Sequence, residues 1–290
     1  MNLVSHCRAD AFVVFYYCCR IRITYRSMII MQKQNNEKCI ITLSANAGIS
    51  INLCGTRIWV DALHNVKVKD YSTLDDLMLR KMEHSEAFGM APDALIYTHC
   101  HEDHFSAELA EKVLTERPDV IAVIPEHHLS RQILAEGNRT EFDVGMLRVI
   151  LIRLPHEGEE YRDIQNYGCL IIPQDEVCSN KGICILILGD SELGCSELTE
   201  HLAREGFSLC GGPGRKVDAV IADFPWGAVR RGRDPIEKLI RPDHLMLYHL
   251  PFEEDDERGY RSMIRRVISR NHNIPDIRIL DEFLQTEIIQ

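Results

Sequence analysis

The stretch that decides the fold is Thr98-His99-Cys100-His101-Glu102-Asp103-His104. It follows a predicted apolar strand, Asp93–Tyr97, so its histidines are expected on a loop at the end of a buried strand. Four metal-binding side chains, His99, His101, Asp103 and His104, fall within six residues. Imidazole and carboxylate groups suit Zn²⁺, Mn²⁺ or Fe²⁺, and neighbouring residues of an irregular loop can point at two different ions. A catalytic centre also needs ligands from distant loops and a free coordination position for water.

Four further strand ends carry an aspartate or a histidine. They are Asp61 in Ile58-Trp59-Val60-Asp61, His156 in Leu154-Pro155-His156-Glu157-Gly158, Asp190 in Ile185-Leu186-Ile187-Leu188-Gly189-Asp190, and His249 in Met246-Leu247-Tyr248-His249. Together with the histidine loop, they form five motifs in order over roughly residues 38–250. In this order, the motifs resemble those of the metallo-β-lactamase superfamily. The resemblance implies an α/β fold, specifically an αβ/βα four-layer sandwich with metal ions at one edge.

The resemblance also implies the roles of these residues. Seven ligands are expected, three for one ion (His99, His101 and His156), three for the other (Asp103, His104 and His249) and one bridge between them (Asp190). Asp61 would lie behind the ligands and accept a hydrogen bond that orients the histidine loop. The expected cofactors are two divalent ions, with Zn²⁺ preferred and Mn²⁺ or Fe²⁺ as alternatives.

A dinuclear centre of this kind predicts hydrolysis. Two divalent ions roughly 3.5–4 Å apart share a water and lower its pKa, so the expected nucleophile is a bridging hydroxide, with Asp103 and Asp190 as the catalytic carboxylates. Asp190 stands where the zinc β-lactamases usually carry a cysteine, so antibiotic hydrolysis is not expected. The chain is more similar to the lactonase and phosphoesterase branch, which predicts a small ester, lactone or phosphoester as substrate.

The same ligand set leaves a second hypothesis open, a non-hydrolytic iron-binding redox or sensor protein. In its di-iron oxygen-reducing form the superfamily works beside a flavin domain, and no room for one follows His249. The oxygen-reducing form is therefore disfavoured, whereas a sulfur-oxidising or sensor role stays open.

Composition limits the partners. The chain has 290 residues, 45% hydrophobic and 27% charged, as in an ordinary globular protein. A net charge of −11 disfavours binding to nucleic acid. The expected partner is a small-molecule substrate, with an anionic one as an option. No run approaches the roughly 20 apolar residues that span a bilayer. Eleven irregularly spaced cysteines predict a reducing, cytoplasmic setting. The oligomeric state is left open.

Residues 1–30 differ from the rest in charge. Residues 1–34 carry five basic residues and one acidic residue, a balance of +4, whereas residues 35–290 carry −15. We interpret residues 1–30 as an extension and residues 31–290 as one hydrolase domain; a targeting segment is the alternative for the extension.

Apolar runs and capping residues predict the elements. The predicted strands are Cys39–Ser44, Ile49–Cys54, Arg57–Val60, Asp93–Tyr97, Val120–Ile124, Leu147–Leu154, Cys169–Pro173, Ile183–Leu188, Ala219–Ala222 and His244–Tyr248. The predicted helices are a stripe from Leu74 to Met82 capped within Ser72–Asp75, a helix capped by Ser106, a helix beginning at His127-His128, and the segments Ser191–Arg204, Pro235–Ile240 and Asp256–Arg270.

Substrate contacts are the least determined part of the prediction. The candidates are His64, Trp226, Arg230, Arg231 and Arg233. His64 could stand at the pocket mouth or be solvated, and the arginines could clamp an anion or form a solvated loop near the last ligand. Cys100 alternates with two ligands and is expected to point away from the metals.

Overall fold

The first half of the chain passes from an antiparallel meander to alternating strands and helices. The computed structural model describes residues 38–174, 182–270 and 273–290, so the predicted extension, residues 1–30, lies outside the described residues. The elements of this half are β1 (Cys39–Leu43), β2 (Ile49–Leu53), β3 (Thr56–Val60), α1 (Asp76–Glu83), β4 (Ala94–Ile96), α2 (Ala107–Glu116), β5 (Ile121–Ile124) and β6 (Ile133–Leu134).

The second half begins with a long hairpin and again turns to alternation. Its elements are β7 (Arg139–Val144), β8 (Leu147–Arg153), a 3₁₀ turn (Glu159–Tyr161), β9 (Tyr167–Pro173), β10 (Ile185–Ile187), α3 (Ser196–Arg204), β11 (Ala219–Asp223), α4 (Phe224–Ala228), α5 (Arg230–Asp234), a π-helix (Pro235–Ile240), β12 (His244–Tyr248), a second 3₁₀ turn (Glu253–Asp255), α6 (Tyr260–Ile268), β13 (Asp276–Ile279) and β14 (Thr286–Ile289).

Two mixed sheets of seven strands each result. The first has the order β14-β1-β2-β3-β4-β5-β6 and the second β13-β12-β11-β10-β9-β8-β7. Strands β3 to β6 run parallel to one another, and so do β10 to β13. Parallel neighbours end at the same edge of a sheet, so the residues that follow them are gathered there.

The sheets pack face to face, with helices on their outer faces. One apolar core joins residues of both sheets, among them Ile51 and Ile221, and also receives Leu114 from α2. A second core lies between the second sheet and its helices and includes Leu198 of α3 and Ile264 of α6. Each such buried side chain contributes roughly 1.5–3 kcal/mol relative to exposure. The predicted α/β sandwich is confirmed.

Several helix ends differ from the predicted ones. Helix α1 is capped by Asp75, within the predicted segment Ser72–Asp75, and its Oδ1 accepts the amide of Met78 at 2.7 Å; the helix itself begins at Asp76 rather than at Leu74. Helix α3 begins at Ser196 instead of Ser191. Helix α6 begins at Tyr260 because the carboxylate of Asp256, where the helix was predicted to start, accepts the Tyr260 amide at 2.7 Å.

Two other segments also differ. His127 and His128 do not start a helix, since the backbone there is irregular and His128 pairs with Glu126. The segment carrying Arg230 to Arg233 was expected to be a loop and forms the helix α5.

The strands that the sequence analysis missed share one position. They are β6, β7, β13 and β14, which are the edge strands of the two sheets. An edge strand is partly solvated, so it lacks the continuous apolar run of a central strand. The alternating exposure of Arg139–Val144 illustrates this, since only Val144 is buried. Within the described residues, no helix is long and apolar enough to cross a membrane.

Candidate metal centre

Polar side chains gather where the parallel strands end. The residues concerned are Asp61 after β3, Thr98 to His104 after β4, Asp190 after β10, Asp223 at the end of β11, and His249 after β12. Asp61 and His249 have positive φ values of 50° and 59°, a backbone region that non-glycine residues rarely occupy. Such strain concentrates at functional sites, where the surrounding structure holds it in place.

One group of ligands consists of His99, His101 and His156, which we call the three-histidine cluster. Together with Asp190, their candidate ligand atoms all lie within 4.8 Å of one another. His99 is fully buried, whereas His101 is only half-buried. This cluster therefore reaches from the interior to the surface.

A second group consists of Asp103, His104 and His249, which we call the Asp103 cluster. Its candidate ligand atoms also lie within 4.8 Å of one another, and all three residues are buried. Asp103 Oδ2 lies 3.6 Å from His249 Nε2. Because Asp103 is a carboxylate, this group carries charge that the three-histidine cluster lacks.

Asp190 stands between the two clusters. Its Oδ2 lies 3.9 Å from His99 Nε2 and 3.8 Å from His156 Nε2. Its Oδ1 lies 3.2 Å from His104 Nε2 and 3.8 Å from His249 Nε2. One carboxylate thus presents one oxygen to each cluster.

The backbone holds these loops in place. The amide of Glu157 donates to the carbonyl of Asp190 at 2.9 Å, so the loops that carry His156 and Asp190 are joined. Gly189, before Asp190, has φ 55°, and a Cβ there would lie 3.0 Å from the Cβ of Thr98. Only glycine therefore allows this turn to pack against the histidine loop.

Thr98 and Asp61 orient two of the histidines. Thr98 Oγ1 donates to Asp61 Oδ2 at 2.6 Å and lies 3.0 Å from His99 Nδ1, which can donate to it. His104 Nδ1 lies 3.0 Å from the same Asp61 oxygen. With each Nδ1 engaged in this way, the Nε2 atoms are turned toward the site, where they can act as ligands.

Buried polar atoms without a hydrogen-bond partner test whether metal ions fit. Among the described residues they include the Nε2 atoms of His99, His104, His156 and His249 and the Oδ1 atoms of Asp190 and Asp223. Buried polar atoms are normally paired, and each unpaired one costs about 1–3 kcal/mol. Imidazole nitrogens and carboxylate oxygens that face one another without partners form a donor set that fits divalent cations.

The pKa shifts reflect this crowding of charge. Burial, reinforced by the neighbouring His104, holds the pKa of His99 well below its ordinary value. Burial opposes ionisation of Asp190, but the charges of His104 and His249 hold its pKa well below the ordinary range. A neutral imidazole and an ionised carboxylate are the forms that bind metals.

Three residues around the clusters were not predicted from the sequence. Asp223 has a candidate ligand atom within 4.8 Å of those of Asp190 and His249. The ring of Tyr71 lies 4.3 Å from that of His249, and the ring of Tyr161 lies 5.1 Å from those of both His101 and His156. Asp223 had a signal, since it closes the apolar run Ala219–Ala222 as Asp190 closes its own strand.

Two candidate substrate contacts lie elsewhere than expected. His64 has no exposed surface, and its Nε2 lies 3.1 Å from the carbonyl of Ala45, so it does not stand at the pocket mouth. Trp226 is also fully buried, in the core between the second sheet and its helices, where a substrate cannot reach it. Both positions correct the predicted contacts.

Two of the three candidate arginines are already paired on the surface. Arg231 makes ion pairs with Glu157 and Glu192, which follow His156 and Asp190 closely in the chain. Arg230 pairs with Asp234 of its own helix at 3.4 Å. Arg233 is half-buried. Of these three, Arg231 lies beside the loops that carry metal-cluster residues.

Cys100 is grouped separately from the histidines on either side of it. Its Sγ lies with the side chains of Glu126 and His128, all within 4.8 Å, and with neither metal cluster. Burial raises the pKa of its thiol to about 12, so it is protonated at neutral pH. This placement agrees with the orientation expected from alternation.

Comparison with known proteins shows similarity in fold. No protein-family model matches the chain, and no curated protein matches its sequence. The metallo-beta-lactamase fold protein YhfI from Bacillus subtilis is 12% identical, with a TM-score of 0.52 over 87% of this chain and 98% of that chain. The isothiocyanate hydrolase from Delia radicum gut bacteria is 16% identical, with a TM-score of 0.56 over 86% of this chain and 98% of that chain.

A third match has a different activity. CmlA, a diiron beta-hydroxylase from Streptomyces venezuelae, is 15% identical, with a TM-score of 0.54 over 88% of this chain. The present chain covers 54% of CmlA, about half of its length. The strand-end histidines and aspartates, the two stacked sheets and these matches agree: the chain has the metallo-β-lactamase fold.

Proposed function

We propose that the chain is a dinuclear metal-dependent hydrolase that cleaves a small ester, lactone or phosphoester. The proposed cofactors are two divalent ions, with Zn²⁺ as the first expectation and Mn²⁺ or Fe²⁺ as alternatives. The supporting observation is the position of Asp190, whose two oxygens face two different groups of ligand atoms. A carboxylate that presents one oxygen to each group is suited to bridge two ions.

In this proposal each cluster holds one ion. The three-histidine cluster and the Asp103 cluster would supply three protein ligands each, and Asp190, which faces both, would be shared between them. Two divalent ions bound in this way lower the pKa of a shared water towards neutrality and polarise the bond to be cleaved. Asp103 and Asp190 are the proposed catalytic carboxylates, because both would lie beside the reacting atoms.

Other side chains hold the geometry and shape the entrance. The hydrogen bonds from Thr98 and His104 to Asp61 fix the direction of the histidine rings. Tyr161 packs beside His101, and both are only half-buried, so this side of the centre is open to a substrate.

We propose a cytoplasmic protein that binds neither nucleic acid nor membrane. The net charge of −11 supports the first exclusion. Five cysteines among the described residues are free thiols, as expected in a reducing compartment: Cys39, Cys100, Cys169, Cys195 and Cys210. We propose no oligomeric state.

A non-hydrolytic iron-binding redox or sensor protein is the second candidate. The fold match to CmlA, a diiron beta-hydroxylase, favours it. Histidine and carboxylate ligands also suit iron. Both candidates need the same ligand residues, so the bound metal and the reaction must separate them.

The deciding experiment combines metal analysis with a substrate panel. The purified protein is analysed for metals and its absorption spectrum is recorded. It is then stripped with a chelator, reloaded with Zn²⁺ or Mn²⁺, and offered lactones, phosphomonoesters, phosphodiesters and thioesters. Two colourless ions per chain and metal-dependent cleavage of one class are expected. An intense iron spectrum with no hydrolysis of any class would overturn the proposal in favour of the second candidate.

A further inference from the structure

Three carboxylates lie around His249, although the motifs account for only two of them. Asp103 and Asp190 belong to the motifs, and Asp223 comes from the neighbouring strand β11. The ligand atoms of Asp190, Asp223 and His249 lie within 4.8 Å of one another. His249 thus belongs to two candidate ligand groups, one with Asp103 and one with Asp223.

The charges of these carboxylates are not balanced by permanent cations. Within the described residues, every ion pair of Asp103, Asp190 and Asp223 is made with a histidine, and none with lysine or arginine. Like charges held together in a buried site repel, and the repulsion is removed by a shared proton or by a cation. Two divalent ions bring four positive charges, so they can accommodate a third carboxylate.

Both Asp223 and His249 carry an unpartnered atom. Its Oδ1 is buried and accepts no hydrogen bond, and the Nε2 of His249 is buried and unpartnered as well. His249 is 4% exposed, so neither solvent nor another side chain satisfies its free nitrogen. The nearest contact of Asp223 to this ring, Oδ2 to Nδ1, is 3.9 Å, too long for a hydrogen bond. Asp223 therefore does not serve as the hydrogen-bond acceptor that orients His249.

We propose that Asp223 is an additional metal ligand and that it adapts the ion of the Asp103 cluster to Mn²⁺ or Fe²⁺ rather than Zn²⁺. This inference rests on the proposed function and refines its metal. The donor set of that ion becomes two histidines, His104 and His249, and three carboxylates, Asp103, Asp190 and Asp223. Zinc sites are usually complete with four ligands, whereas carboxylate-rich sites with more ligands suit Mn²⁺.

The two clusters then differ in the metal they favour. The three-histidine cluster offers three imidazoles and one oxygen of Asp190, a set typical of zinc. The Asp103 cluster with Asp223 offers a majority of carboxylates. A mixed Zn/Mn or Zn/Fe centre is the expected resting composition.

The test measures metal affinity rather than turnover. The full-length protein and Asp223→Asn are stripped of metal and titrated calorimetrically with Mn²⁺ and, separately, with Zn²⁺. Asp223→Asn should weaken binding of Mn²⁺ at one of the two sites by roughly tenfold or more, and binding of Zn²⁺ by less than about threefold. Asp234→Asn is the matched control, since it removes a carboxylate from the following helix α5, where Asp234 pairs with Arg230 and Lys238.

Thermal unfolding of the metal-free protein provides a second readout. A carboxylate that only supported the fold would, when neutralised, lower the melting temperature. A carboxylate pressed against Asp190 should, when neutralised, leave the melting temperature of the metal-free protein unchanged or raise it. Asp223→Ser, which is smaller and uncharged, repeats both measurements if Asp223→Asn does not fold.

The outcomes distinguish this inference from the proposed function. Parental Mn²⁺ and Zn²⁺ affinities in Asp223→Asn would overturn the ligand assignment while leaving the dinuclear centre in place. Equal losses for both metals would overturn the selectivity. A parent protein that binds neither metal would contradict the proposed function itself.

Discussion

The two halves of the centre differ in charge and in origin. The three-histidine cluster takes His99 and His101 from the loop after β4 and His156 from the loop after β8, and all three ligands are neutral when bound to metal. The Asp103 cluster takes Asp103 and His104 from the same loop and His249 from the end of β12, and it includes a carboxylate. Adjacent residues of one loop thus serve two sites of different chemistry.

The difference shows how one short loop can supply ligands to two clusters. His99 and His101 face one way, whereas Asp103 and His104 face the other, and Asp61 holds both parts through Thr98 and His104. The distant partners then decide the character of each half. A single histidine from β8 completes the first, and the parallel strands of the second sheet add charge to the second.

The largest expected effect comes from Asp190→Asn, because Asp190 contacts both halves. The change keeps the size of the side chain but removes its charge and one of two acceptor oxygens. We expect a loss in kcat of about a hundredfold or more, on the order of 2.7 kcal/mol, and a fall in bound metal from two ions toward one. Metal analysis and steady-state kinetics check this, with circular dichroism to confirm folding.

Cys100→Ala is the matched control for Asp190→Asn. Cys100 lies between two ligands in sequence but contacts neither cluster, so its substitution should leave kcat and metal content close to those of the parent. An Asp190→Asn protein that keeps two ions and turns over at the parental rate would disprove the bridged centre.

Next in size is the effect of removing one histidine from each half. His156→Ala should empty the three-histidine cluster and leave about one ion per chain in the Asp103 cluster, and His249→Ala should do the reverse. Elemental analysis after loading with a Zn²⁺ and Mn²⁺ mixture measures which ion remains. His244→Ala is the control, since that histidine pairs with Asp276 away from the site. Loss of both ions from either variant would show that the halves do not bind independently.

Thr98→Val tests the connection between the halves. Valine has the shape of threonine but cannot donate to Asp61 or accept from His99, so both rings lose part of their orientation. Replacing a residue that orients metal ligands usually lowers metal affinity or activity by about 10–100-fold. We expect the affinity for both ions to fall within that range. Thr42→Val, at a buried threonine of β1 that contacts Thr286, is the control. If the binding of only one ion were weakened, the ligands of the two halves would be oriented separately.

The part of the site that could be predicted from sequence is the part encoded locally. His99 to His104 lie within one loop, and alternation along that loop was enough to separate Cys100 from its neighbours. The remaining motif residues, His156, Asp190 and His249, were placed by resemblance, because nothing in their own surroundings relates them to the histidine loop. Their spatial grouping follows from the pairing of distant strands.

What sequence reasoning missed depends on that distant pairing. Asp223 closes β11, and its proximity to Asp190 arises because β10 and β11 are parallel neighbours. Trp226 was a candidate substrate contact, but the helix that follows β11 places its ring in the core. The central strands could be recognised from their apolar runs, whereas the edge strands could not, because solvent satisfies one side of them.

The stability of the folded protein at acid pH depends on His64, which is buried near the Asp103 cluster. Burial lowers the pKa of His64 from 6.5 to about 4. The unfolded chain therefore takes up a proton near pH 6.5 while the folded chain does not, so the stability from this residue is complete above pH 6.5 and is lost as the pH falls through 4. The free energy of unfolding that is lost in this way is about 3 kcal/mol.

Denaturant unfolding of the metal-free protein between pH 7 and 4 measures this effect. The amide of the glutamine in His64→Gln can still donate to the Ala45 carbonyl. This variant should lose less unfolding free energy between pH 7 and 4 than the parent, by about 3 kcal/mol. His84→Gln, at an exposed histidine of α1's end, should follow the parent. A parental pH profile in His64→Gln would mean that the acid sensitivity resides in other groups.

The smallest effect is expected at Arg231, beside the three-histidine half. Its guanidinium already pairs with Glu157 and Glu192, and it is half-exposed, so Arg231→Ala should cost no more than about 1 kcal/mol of stability. Glu157 and Glu192 follow His156 and Asp190, so the pair stiffens the loops that carry these ligands without touching the ions. We expect unchanged metal content and a rise in KM for anionic substrates of less than about tenfold, with kcat retained. Arg230→Ala, whose partner is Asp234 on its own helix, should leave KM unchanged. A fall in zinc content in Arg231→Ala would show that the three-histidine half depends on this surface pair, and would make it the less rigid of the two halves.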